Sequence, residues 1–97
     1  MNPAKVVRAR VKALTDLPNV GPSIAGDLEL LGIRRPAQLT GADPYALYRR
    51  INRRTGIRHD PCLLDVFISI TRFMDGERPR PWWHYTAERK ARLGRSW

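Results

Sequence analysis

The chain has 97 residues, with 18 lysines and arginines against 9 acidic residues and a net charge of +9. That length supports one domain with one core and leaves no room for a second, catalytic domain, and the charge favours a polyanionic partner, nucleic acid ahead of an anionic membrane surface. No apolar run approaches the roughly 20 residues of a membrane span. No hydrophobic stretch follows the basic N-terminus as in a secretory signal, and the lone Cys62 has no partner for an internal disulfide, so a cytoplasmic location is expected.

In chain order, Val7, Val11 and Leu14 recur at helical spacing and predict a first helix starting near Pro3. Pro18, Asn19, Val20 and Gly21 then read as a sharp turn, with Gly21 as the N-cap of a second helix that opens at Pro22. Proline suits the first helical position because its φ is fixed and its missing N–H would be unpaired there anyway. The N–H groups of Ser23 and Ile24 have no acceptor inside such a helix and point out of its positive end, where a phosphate oxygen can accept them. Ile24, Leu28 and Leu31 give the helix a buried face, and Gly32 is placed to end it.

A short helical turn is expected at Pro36 to Leu39. Asp43 and Pro44 open a helix running to about Arg54 and ended by Gly56; Asp60 and Pro61 open another reaching about Phe73, ended near Gly76. Thr86 to Leu93 form a terminal helix, with Thr86 as its cap and Gly94 as its stop. No stretch alternates in the manner of a half-buried strand, so the architecture is all-α and compact. It divides into a helical domain over residues 1–75 and a basic, tryptophan-rich segment over 76–97 packed on it. The spacing of Pro22, Ile24, Leu28 and Leu31 recurs at Pro61, Leu63, Phe67 and Ile70, which is consistent either with a second, degenerate hairpin unit or with two ordinary amphipathic helices.

Arg49, Arg50, Arg53 and Arg54 share the helical arc opposite Leu47, Tyr48 and Ile51. Such a face is either a solvated surface or a set of phosphate contacts, to which Arg34, Arg35 and Lys12 would add. The tail carries six basic residues against two acids, interleaved with Trp82, Trp83, His84, Tyr85 and Trp97. Aromatics among cations stack the bases of single strands; alternatively, one indole of the 82–83 pair fills the core of a domain short of large residues.

Leu17, Pro18, the Asn19-Val20-Gly21 tripeptide, Pro22 and the later Leu31-Gly32-Ile33 together resemble the helix-hairpin-helix DNA-binding motif, as found in DNA polymerase beta and its relatives. The resemblance implies that the amides of Asn19, Gly21, Ser23 and Ile24 bind a duplex phosphate without regard to sequence. It also implies that the carbonyls of Thr15, Leu17 and Val20 hold a monovalent cation, K+ or Na+. Asn19 stands where glycine is usual and tolerates positive φ better than other residues with side chains; Ser23 stands where many DNA-binding members carry Lys or Arg. The wider chain, through Asp43, Pro44, Leu47, Tyr48, Cys62, Phe67 and the tryptophan pair, resembles the bacterial pathogenicity locus or mitomycin resistance proteins.

Catalysis is not expected. Asp43 and Asp60 serve as helix caps, Asp65 and Asp75 are scattered, His59 and His84 have no partner at ligand or dyad spacing, and Cys62 opens an apolar helix as a structural thiol. Glycosylases that use this hairpin need a lysine where Ser23 stands, or an aspartate in a much larger helical domain. A non-enzymatic, sequence-tolerant module for nucleic acid, duplex DNA in particular, is the expected function, with a link to DNA damage or repair. The alternative is a protein-interaction adaptor that docks an acidic partner on the Trp- and Arg-rich tail.

Overall fold

Leu63 to Thr71 form an unbroken buried run, and a helix that is apolar on every side belongs at the centre of a domain. The computed structural model describes residues 2–94 and places this run in α3 (Pro61–Met74). Around it stand α1 (Pro22–Leu30), α2 (Pro44–Thr55) and α4 (Thr86–Leu93). α2, α4 and the 3₁₀ turns at Pro36–Leu39 and Trp82–Tyr85 pack directly on α3, whereas α1 packs chiefly on α2 and on the 3₁₀ turn at Leu14–Asp16. The described residues include no strand, so the fold is all-α. None of their helices is long and apolar enough to cross a membrane. Trp97 lies outside the described residues.

The helix boundaries follow the local chemistry. The Asp43 carboxylate accepts the Tyr45 N–H at 2.9 Å and Asp60 accepts that of Cys62 at 2.8 Å, each ahead of a proline at the first helical position. Gly56, at φ 74°, closes α2 in the left-handed conformation that a residue with a Cβ resists. α1 buries Ala25 and Leu28, whereas Ile24 and Leu31 are only half-buried. Its core face is therefore shifted from the expected one, because Ile24 turns toward a cleft at the start of α3.

The expected first helix is instead three 3₁₀ turns, Pro3–Lys5, Arg8–Arg10 and Leu14–Asp16. Val6, Val7 and Val11 between them are extended, a conformation that β-branched side chains favour. Tertiary contact decides the path. Arg8 donates to the Phe73 and Glu77 carbonyls and lies 4.0 Å over the Phe73 ring, placing a cation at the negative end of α3. Of the three residues thought to share a helical face, only Leu14 is buried, and Val7 is 51% exposed.

Polar groups on α3 fasten the rest. Ser69 accepts from the Asn19 side chain at 3.0 Å. Asp65, fully buried, receives Arg89 at 2.9 and 3.2 Å and the Thr86 hydroxyl at 2.7 Å. Thr86 therefore does not cap α4; the helix runs on from the preceding 3₁₀ turn, and the hydroxyl is spent on the core carboxylate. The aromatic that enters the core from the tail is Tyr85, whose hydroxyl pKa is pushed up to about 12 by burial, with nearby Glu77 adding to the shift. Trp82 is half-buried against the core and Trp83 is 61% exposed. Trp82→Ala should accordingly cost about 2 kcal/mol, roughly half the loss for a fully buried aromatic, while Trp83→Ala should melt like the parent; thermal denaturation followed by circular dichroism checks both.

Candidate nucleic-acid interface

Leu17, Pro18 and Val20 are buried and anchor the hairpin turn to the core. Among the described residues, Asn19 is the one non-glycine with positive φ, 67°. Its amide nitrogen donates to the Ser69 hydroxyl at 3.0 Å and to the Arg80 carbonyl at 2.9 Å, and its oxygen accepts the Trp82 N–H at 3.2 Å. The turn is thus locked from the side-chain end as well as by its own backbone.

Gly21, Pro22 and Ser23 are exposed. Gly21 caps α1 without a side chain, and the first α-helical bond runs from the Ala25 N–H to the Gly21 carbonyl at 3.0 Å. The N–H groups of Ser23 and Ile24 therefore have no acceptor within the helix. A Cβ built on Gly21 would meet no atom within 4 Å, so the space over the turn at this residue is open. Behind the turn, the Leu17 carbonyl accepts the Val20 N–H at a long 3.4 Å. Thr15 lies in the 3₁₀ turn that leads in.

The basic residues divide between two places. Arg50 donates to the Leu31 carbonyl at 3.1 Å, and Leu30, Leu31, Arg50, Arg53 and Arg54 line a groove of about 300 Å³. Arg34 and Arg35 follow Gly32 at the same end of α1 and are exposed. The hairpin amides lie at the other end, about 13 Å away for nine residues at 1.5 Å rise. Arg49 is exposed but borders a separate hollow with Tyr45, Tyr48, Leu64 and Leu93, so Arg49 and Arg53 do not share a groove. Lys12 is exposed in the segment before the turn, where the Asp16 carboxylate accepts the N–H groups of Lys12 and Ala13; these bonds, that of Ala13 foremost, hold the Asp16 carboxyl below the usual carboxylate range.

What the sequence left unassigned is the meeting of three distant segments. Pro3, Trp82 and Trp83 join Asn19, Val20 and Gly21 around an open cleft of about 300 Å³ beside the hairpin turn. On the other side of Trp82 lies a second cleft of about 330 Å³, lined in part by Asp27, His59, Asp60 and Cys62. Burial, followed by the bond to Asp60, pushes the Cys62 thiol up, which suits a protonated structural thiol. No group of three or more His, Cys, Asp or Glu among the described residues is arranged to hold a metal. The spacing echo of α1 in α3 does not extend to an anion site, because Asp60 already accepts the first free N–H groups of α3, that of Cys62 on its carboxylate and that of Leu63 on its carbonyl.

Residues 7–91 match the sequence model of the family described as pathogenicity locus, Cdd1. The chain is 50% identical over 80 residues to mitomycin resistance protein McrB of Streptomyces lavendulae, a match covering 82% of this chain and 76% of that protein. No solved structure matches it. The match to the family model spans most of the chain, from the first valine-rich segment into α4, and on that ground this protein belongs to the pathogenicity locus family.

Proposed function

We propose that the protein is a non-enzymatic, sequence-tolerant DNA-binding module that grips duplex backbone at the start of α1. The observation that carries this reading is the open end of α1: two N–H donors without helix acceptors, Ser23 and Ile24, behind an exposed glycine with free space over it. Such donors at the positive end of a helix dipole match a phosphate oxygen and carry no base information. Asn19 and Gly21 contribute the remaining amides. Arg34, Arg35, Arg53 and Arg54 at the far end of α1 meet backbone about four nucleotides of axial rise away, at 3.4 Å per nucleotide. Arg49 and Lys12 add charge outside these two contacts. A K+ or Na+ ion belongs to the same reading through the carbonyls of Thr15, Leu17 and Val20. Kinship with a protein named for mitomycin resistance supports placing this binding in a response to DNA damage.

Titration against duplex oligonucleotides at two salt concentrations tests the reading. With about four phosphates neutralised, affinity should fall roughly a hundredfold for a fourfold rise in salt, and two unrelated sequences should bind alike. Absence of duplex binding at low salt would overturn it in favour of an adaptor for an acidic protein.

A further inference from the structure

The cleft beside the hairpin differs from the rest of the surface in what faces it. Trp83 is 61% exposed, the largest apolar side chain left so uncovered among the described residues. It is nevertheless held in place. Its ring and that of Trp82 form a T-shaped pair, with centroids 5.5 Å apart and planes at 84°, and Trp82 is itself bound through its backbone to Asn19 and packed on the core. A T-shaped neighbour fixes the orientation of an indole and takes up at most one of its two faces. The cleft in front of it is bounded by Gly21 and Val20 of the turn and by Pro3, and no carboxylate lines it. The neighbouring cleft across Trp82 carries Asp27 and Asp60, which repel a polyanion. Charge and shape therefore favour one side of Trp82 for a nucleic-acid strand, with Arg80 and His84, paired at 2.9 Å, on the same segment as the indoles.

We infer that this cleft receives an unpaired nucleobase stacked on Trp83, so that the preferred ligand is a duplex with a single-stranded extension rather than a blunt duplex. The inference deepens the proposed DNA binding and rests on it. A base inside a duplex has both faces covered by its neighbours in the stack, and a blunt end offers one face of a rigid pair only, whereas a base in a single strand presents a free π-face to any aromatic. The occupant is identified by what surrounds the indole: phosphate donors on one flank, no acidic group, and a proline on the other.

The test compares a blunt duplex with the same duplex carrying an oligothymidine extension, using the full chain at low salt. The parent should bind the extended duplex about tenfold more tightly, the scale of one base–aromatic stack, with quenching of tryptophan fluorescence that the blunt duplex does not produce. In Trp83→Ala the ratio of the two affinities should fall to about one and the extra quenching should vanish, while Trp83→Phe should keep most of the preference. Unchanged circular dichroism melting shows that the variants are folded. Equal affinity of the parent for both duplexes, or a preference that survives Trp83→Ala, overturns the inference and leaves the duplex reading standing. Failure to bind either duplex overturns the duplex reading itself, and the inference with it.

Discussion

Gly21→Val is expected to abolish duplex binding while the protein still folds and melts close to the parent. Gly21 sits at φ −98° and ψ −175°, ordinary extended backbone that β-branched residues adopt readily, and a Cβ there has no atom within 4 Å. The substitution therefore introduces no clash within the protein, and exchanging Gly for Val at an N-cap costs at most about 1 kcal/mol. Under the proposed reading, what it fills is space on the side from which a phosphate approaches the Ser23 and Ile24 amides. Arg53→Ala removes one charge at the other contact, so binding should weaken only several-fold and the salt slope should lessen by about one. Gly21→Ala gives an intermediate check with a smaller side chain. Equal, small losses for Gly21→Val and Arg53→Ala would indicate a diffuse electrostatic surface with no role for the turn. The contrast is informative because the two variants probe different physics: one alters shape without changing charge, the other alters charge far from the turn.

The largest effect on stability should come from Asp65. Its carboxylate is fully buried, and the guanidinium of Arg89 that it holds is 6% exposed. Asp65→Ala leaves that guanidinium without its counter-charge in a low-dielectric interior, a loss of about 3 to 5 kcal/mol. Against the total of roughly 5 to 15 kcal/mol of a small domain, this should lower the melting temperature by on the order of 20 °C. Replacing both partners with apolar residues, Asp65→Leu with Arg89→Met, should recover most of the loss, since a buried pair and a well-packed apolar pair differ little. If Asp65→Ala alone melted within a few degrees of the parent, the pair would not be what fastens α4 to α3. The hydrogen bond to Asp65 also holds the Arg89 pKa further above its ordinary value, so the guanidinium keeps its charge in the interior.

Much of this architecture is written in local chemistry. Asp-Pro at 43–44 and 60–61 opens two helices where the carboxylates and prolines alone require it, and glycines 32, 56 and 94 stop helices because each takes positive φ. The positive φ of Asn19 and the open start of α1 are equally local and equally legible. The features that escaped depend on distance along the chain. Val7, Val11 and Leu14 fit a helix by spacing, yet Arg8 reaches the end of α3 and draws the segment into separate turns. Size favoured a tryptophan as the core aromatic of the tail. Tyr85 took that place, its ring buried and its hydroxyl directed to Glu77 at 3.4 Å. The Asp65–Arg89 pair left one readable trace: a carboxylate inside the apolar run from Cys62 to Ile70 demands a counter-charge, although the run itself does not say which of the basic residues supplies it. The cleft at Trp83 left none, because Pro3, the turn and the tail meet only in the folded molecule.

Asn19 joins two jobs that a glycine at this position would keep separate. A glycine would turn the chain as readily, yet it would have no atoms for Ser69, Arg80 and Trp82 to hold. With asparagine the conformation of the turn and the seating of the tail share one set of bonds, and neither can relax without loosening the other. Whatever coupling these bonds carry acts reciprocally, by the same factor in each direction. Order at the tail is in this sense inherited from the turn, through three hydrogen bonds of one side chain.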